Sequence, residues 1–316
     1  MSADPGRPFA ELAERFGADR LCTNVLLAPY TTFRIGGPAD LFYEARTPVE
    51  LCRAVRSARE LKIPYFVLGA GANILVGDRG FRGLVIRNVA GGIEFLDDTR
   101  VRAGSGVLVY HDLIQACVDH GLGGLHHFVG IPSTVGGAIW QNLHFLSPAP
   151  ERERTIFIEE MVESCELLTE GGEVRTVGVG YLDFGYDYSI LHDRDDIVLS
   201  VTFRLEPTPG EQMLDVIREN LRWRDDRHPD LWLYPSAGSI FKKVEGVGAG
   251  RLIDQCGLKG YVHGRAQFFH RHANIIVNLG GASARDVLTL IDLARTTVQR
   301  ETDYVLEPEI GLIGEF

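Results

Sequence analysis

Mixed helix and strand in two successive regions, an α+β fold, is what this sequence predicts, and three observations carry the prediction. Residues 41–68 read as strand, helix, strand: 41–44 alternates, 49–62 sets Val49, Leu51, Cys52, Val55 and Ala58 largely on one helical face, and 63–68 is an apolar run. The segment EPTPG at 206–210 separates an apolar strand at 197–205 from a helical pattern at 212–224 and is the best domain boundary in the chain. A length of 316 residues, 45% of them hydrophobic and 24% charged, allows a large core and two or three domains.

The remaining elements follow in order. A short amphipathic helix is expected over 8–17, then extended segments at 24–27 and 30–35, with Gly36, Gly37 and Pro38 forcing a turn. Residues 83–87 and 92–96 read as strands, 101–109 (VRAGSGVLV) as a strand pair around glycine, and 109–120 as a helix stopped by Gly121. Residues 144–155 read as a surface loop and 156–176 as a hairpin turning at Glu170, Gly171 and Gly172. Beyond the boundary, the pattern gives a helix at 249–257, a strand at 273–278 and a helix over 283–300 with Ser283 as its N-cap.

Charge and cysteine usage restrict function. A net charge of -11 and a pI near 5.4 argue against the broad basic surface that non-specific nucleic-acid binding needs. Cys22, Cys52, Cys117, Cys165 and Cys256 are odd in number, scattered and without a CxxC pair, which suggests reduced thiols, most of them small core residues. The segment MSADPGRPFAELAERFG lacks an apolar signal core and no apolar run of membrane-spanning length follows, so a cytoplasmic location without membrane association is expected.

Three stretches carry chemistry. In LGAGANILVGDRG, Gly69 and Gly71, flanked by Ala70 and Ala72, leave backbone N–H groups uncovered, a nest for phosphate oxygens; a tight hairpin is the competing reading. It is neither a GxGxxG fingerprint nor a P-loop, which disfavours both familiar nucleotide folds. In HFVGIPSTVGGAIWQN, Gly130, Gly136 and Gly137, with Pro132 fixing one φ, describe a rigid turn, and Ser133 and Thr134 offer hydroxyls either to a phosphate or ring edge or to a helix cap. In YPSAGSIFKK, small residues surround Ser239 while Lys242 and Lys243 supply charge, a plausible acid or nucleophile site, although these ten residues alone favour a turn closing a strand with its lysines solvated. His263, His270 and His272 raise a weak metal-hydrolase alternative.

Together with TTFRIGGPAD (31–40), AGRLIDQCGLKG (249–260), HANIIVN (272–278) and LEPEIGLIG (306–314), these stretches resemble, collinearly from about residue 25 to the end, the MurB family of UDP-N-acetylenolpyruvoylglucosamine reductases, in its shorter, second type. The resemblance implies a vanillyl-alcohol-oxidase (PCMH) type FAD-binding region at 20–205 and a smaller α/β substrate domain at 206–316. It implies FAD as cofactor, held by Arg34, by Gly69, Ala70, Gly71, Ala72, Asn73, Ile74 and Leu75, and by Gly130, Ile131, Pro132, Ser133, Thr134, Gly136, Gly137 and Ala138. NADPH is the implied transient reductant, which accounts for the missing dinucleotide fingerprint. The implied activity is that of a UDP-N-acetylmuramate dehydrogenase in peptidoglycan precursor synthesis, in a monomer whose partner is a small nucleotide sugar.

The implied chemistry delivers a hydride to the methylene carbon of an enolpyruvyl ether, so the site needs an enolate stabiliser and an acid. By motif match the acid is Ser239 and a second acid or stabiliser is Glu309. Tyr186, Arg224, Lys242 and Lys243 are candidates for the substrate diphosphate. One departure bears on this chemistry: in FGYDYSIL, Tyr186 and Ser189 match the family but Asp187 stands where it has arginine. A charged hydrogen bond is worth about 1.5–3 kcal/mol, so an inward-pointing Asp187 should disfavour the enolate. Either Lys243, Arg224 or Arg227 takes over, or the chain is a MurB-like flavoprotein with another substrate or without turnover. QNLHFL after the GGAIW turn, Lys243 and Gly311 are further departures.

Overall fold

In the computed structural model the described residues are 7–17, 19–148, 151–244 and 246–316; residues 149 and 150 of the expected 144–155 loop lie outside them. The chain divides into two compact units. Unit 1 comprises residues up to Leu21, Tyr43–Ala70 and Ile86–Arg224; unit 2 comprises Cys22–Phe42, Gly71–Val85 and Asp225–Phe316.

This division differs from a split at 206, for reasons of packing. The helix Gly210–Arg227 sinks Met213 into the core of unit 1, carrying that unit past the EPTPG break. Phe33, Ile35 and Leu75, from early in the chain, are fully or nearly fully buried in the core of unit 2.

Unit 1 is built on a five-stranded antiparallel sheet in the order Val174–Gly178, Val162–Leu168, Ile197–Arg204, Arg100–Gly104, Ile93–Phe95. Ile197–Arg204 is nearly continuous in apolar side chains because it lies centrally, pairing Val201 with Cys165 on one side and with Ala103 on the other. Burial pushes the thiols of Cys117 and Cys165 up to about 12, so both act as packing residues.

The expected strand pair over 101–109 is one strand, after which Ser105 and Val107 turn to bond the helix Val135–Gln141. The expected helix over 109–120 begins only at Ile114: Tyr110 is extended and His111 has φ 82°, so Val109–Leu113 is irregular. Part of the expected 144–155 loop is a strand, His144–Leu146, paired with Thr155–Phe157 because Phe145 and Ile156 are buried.

Unit 2 holds a four-stranded antiparallel sheet ordered Ser236–Ser239, Ile275–Asn278, Ala266–Phe268, Val262–His263, together with helices Ala249–Gln255 and Ala284–Thr302. The second helix starts as expected at Ser283, whose hydroxyl accepts from Asp286 N at 3.0 Å while the Asp286 carboxylate accepts from Ser283 N. The expected extended stretch at 30–35 forms no strand: Tyr30 ends a short 3-10 turn, Ala28–Tyr30, and a bend follows.

Asn278 holds that bend: its Nδ2 donates to Phe33 O at 3.1 Å, and its Oδ1 accepts from Gly280 N at 2.8 Å and Ala282 N at 3.0 Å. Asn278→Ala strands these buried groups and should cost about 2–4 kcal/mol, read as a lower urea midpoint at unchanged slope.

Candidate active site

In unit 2 the sequence-predicted acids come together through the backbone. The strand Ser236–Ser239 pairs Ser236 with Val277 and Ser239 with Ile275, so three steps oppose two and a bulge falls at Ala237 and Gly238. Gly238 supplies the φ of 80° this bulge needs, and the bulge re-aims Ser239, which is half-buried. Asn274 fixes the strand end, its Oδ1 accepting from Phe241 N at 3.0 Å and its Nδ2 donating to Phe241 O at 2.8 Å.

Glu309 N donates to Ile240 O at 2.8 Å, setting the Glu309 backbone against the residue that follows Ser239. Two residues on, Gly311 N donates to Asn73 O at 2.9 Å, and Gly311–Ile313 runs parallel to Ile74–Val76. Ser239, Glu309 and the 71–75 segment thus form one network within unit 2. Lys242 is exposed, its Nζ 3.5 Å from Glu307, and Lys243 is exposed as well. The Arg34 guanidinium donates to Trp232 O at 3.3 Å and lies 5.0 Å from that indole ring.

The glycines of the first motif are required by close approach. A Cβ on Gly69 would stand 2.5 Å from Thr134 Oγ1, so within unit 1 Gly69 lies directly against Thr134. A Cβ on Gly71, at φ 62°, would stand 2.2 Å from Tyr30 O. Among the described residues, the N–H groups of Ala70, Gly71, Ala72 and Asn73 donate to no backbone acceptor outside the regular elements, as a phosphate nest requires.

The second motif behaves differently. Gly136 and Gly137 lie in the first turn of Val135–Gln141, with Thr134 as N-cap: its hydroxyl accepts from Gly137 N at 3.3 Å. Val135 N donates to Val107 O and Gly136 N to Ser105 O, both at 2.8 Å, so these amides are used internally. Gly130 gives room to the side chain of Arg224, whose Nε would lie 2.9 Å from an added Cβ. The uncovered amides of 70–73 fit the diphosphate of a flavin dinucleotide, whereas the amides of Val135 and Gly136 are already taken within unit 1.

At the other end of that helix, Gly185 and Tyr188 bond each other's backbones, closing a tight turn with Tyr186 and Asp187 at its corner. Tyr186 is 48% exposed, whereas Asp187, at φ 53°, is 8% exposed and points inward. Its Oδ1 lies 3.6 Å from Nδ1 of His144, a residue the sequence reading passed over. The only signal was its place in QNLHFL, where a loop was expected. Among the described residues no group of three His, Cys, Asp or Glu side chains is placed to hold a metal ion, and no helix is long and apolar enough to cross a membrane.

Comparison with known proteins bears on the same segments. Residues 39–178 match the model of an FAD binding domain, and residues 229–313 that of the UDP-N-acetylenolpyruvoylglucosamine reductase C-terminal domain. The chain is 38% identical over 296 residues to the UDP-N-acetylenolpyruvoylglucosamine reductase of Moorella thermoacetica, covering 94% of each chain. It is 37% identical over 301 residues to that of Agathobacter rectalis, covering 91% of this chain and 92% of the other. The crystal structure of UDP-N-acetylenolpyruvylglucosamine reductase (MurB) from Thermus caldophilus aligns with a TM-score of 0.75 at 36% identity, over 92% of this chain and 97% of that one. An FAD-binding domain followed by this C-terminal domain, matched nearly end to end by such relatives, makes the chain a member of the UDP-N-acetylenolpyruvoylglucosamine reductase (MurB) family.

Proposed function

We propose that this protein is an FAD-dependent oxidoreductase that reduces UDP-N-acetylglucosamine enolpyruvate to UDP-N-acetylmuramate, with NADPH as reductant, in peptidoglycan precursor synthesis. The observation that carries the reading is the network of Ser239, Glu309 and the glycine-rich segment within unit 2. Bound FAD supplies a two-electron relay between NADPH and the enolpyruvyl group.

The chain's own residues do the rest. The amides of residues 70–73, with Arg34, hold the cofactor diphosphate, Ile74 and Leu75 anchor that segment by pairing with Gly311–Ile313, and residues 130–138 hold the ring system. Reduction places a hydride on the substrate's methylene carbon and a proton on the adjacent ether carbon. Ser239 Oγ donates that proton, and Glu309, in its protonated form, stabilises the enolate oxygen by donating a hydrogen bond, or lends it a proton that returns as the substrate carboxylate re-forms. Arg224, Tyr186, Lys242 and Lys243 offer charge and hydroxyl to the sugar nucleotide. By sequence, residues 20–205 are assigned to the cofactor and 206–316 to the substrate. The protein acts as a cytoplasmic monomer.

The test is direct. Purified protein with bound FAD should consume NADPH, followed by its near-ultraviolet absorbance, only when the enolpyruvyl substrate is added. Flavin-loaded protein that shows no substrate-dependent loss of NADPH overturns the reading.

A further inference from the structure

We infer that Thr32 is a positioning residue for the proton transfer: its two donors fix the strand that carries Ser239 against the glycine-rich segment assigned to the cofactor. This rests on the reductase reading above. Thr32, residues 71–73 and the strand Ser236–Ser239 all belong to unit 2.

Thr32 spends its two protons on two different segments. Its backbone N–H donates to Gly71 O at 3.0 Å. Its hydroxyl has a single proton and three carbonyl oxygens around it, of which Ser236 O at 2.7 Å is the closest, against 3.3 Å for Ala72 O and 3.4 Å for Gly71 O. The proton therefore goes to Ser236 O, a carbonyl of a buried residue, where a hydrogen bond is costly to lose. The preceding residue behaves differently. Thr31 Oγ1 lies 3.2 Å from Ile35 O and 3.3 Å from Ala28 O, so it closes its own bend, whereas Thr32 reaches across to distant segments.

Both partners of Thr32 are themselves held. On one side, Asn278 Nδ2 donates to Phe33 O at 3.1 Å, and Tyr30 O presses so close to Gly71 that an added Cβ there would meet it at 2.2 Å. On the other, Ser236 begins the bulge that aims Ser239: it pairs with Val277, its Oγ lies 3.4 Å from Gly238 N, and Ser239 resumes the pairing at Ile275. A shift at Ser236 O is therefore passed through two bulged residues to Ser239. Substrate reduction needs a hydride and a proton on neighbouring carbons, so the acid must keep its place relative to the segment that holds the cofactor, and a misplacement of about 1 Å can cost about 10²-fold. Hydride passage from NADPH takes no proton from Ser239 and does not depend on this spacing.

The test uses two FAD-loaded variants: Thr32→Val, which exchanges the hydroxyl for a methyl group and keeps the backbone N–H, and Thr32→Ser, which keeps both donors. Stopped-flow absorbance of the flavin follows each half-reaction. Thr32→Val should be reduced by NADPH at the wild-type rate, but its reoxidation by UDP-N-acetylglucosamine enolpyruvate should slow about tenfold. The solvent deuterium isotope effect on that second step should grow, because proton delivery has become limiting. Thr32→Ser should restore both the rate and the isotope effect. Wild-type reoxidation in Thr32→Val, equal slowing of both half-reactions, loss of flavin from that variant, or slow reoxidation in Thr32→Ser overturns the inference. Wild-type protein whose reduced flavin is not reoxidised by this substrate overturns the reductase reading, and the inference with it.

Discussion

Ser239→Ala is expected to lower kcat by about two to three orders of magnitude while flavin content and the KM for substrate change little, because general acid catalysis is typically worth about 10²–10⁴. The strand keeps its shape without the hydroxyl. Ser239 is held through its backbone pairing with Ile275, and the neighbouring positions are fixed by Asn274 and by Glu309 N, none of which uses Ser239 Oγ. Loss of turnover is then a loss of the proton rather than of the fold. Single-turnover experiments separate the two half-reactions: cofactor reduction by NADPH should proceed at the wild-type rate and transfer to substrate should be slow. A variant that turns over normally would remove Ser239 from the chemistry.

Gly71→Ala is expected to yield protein that has lost flavin and at least about 3 kcal/mol of stability, the combined effect of a left-handed backbone and a steric clash. At φ 62° an added methyl carbon meets Tyr30 O at 2.2 Å and Thr31 Cα at 2.9 Å, both backbone atoms that no rotamer change can move aside. Thr32 N also donates to Gly71 O at 3.0 Å, so displacing one strand of this contact displaces the other. Because the proposed cofactor contact at 70–73 requires this conformation, flavin absorbance and thermal midpoint should fall together. Full flavin occupancy with an unchanged midpoint would show that the close approach is not needed.

The sequence by itself determined the parts that local chemistry dictates. The alternating and helical periodicities of 41–62, the Ser283 cap and the central strand near 197–205 were legible because each is encoded within a few neighbouring residues. The glycine-rich motifs and the stretch around Ser239 could be set against a known family because their order along the chain is collinear with it. Local patterns misled where burial came from distant partners. Phe145 converted an expected surface loop into a strand by pairing with residues across the intervening segment, and His111 broke an apolar run that read as helix.

Only the tertiary structure decided what the departures mean. Asp187 and His144 are 43 positions apart, and nothing in either local sequence announces the other. Whether Asp187 faced solvent or the interior depended on the turn at Gly185 and on its clamp to Asn142. The same holds for Glu309, which reaches Ile240 and, through Gly311, Asn73 by long-range backbone bonds. Periodicity and motif spacing report a residue's own neighbourhood along the chain, whereas the charge balance of a site is set by which distant segments the core brings together.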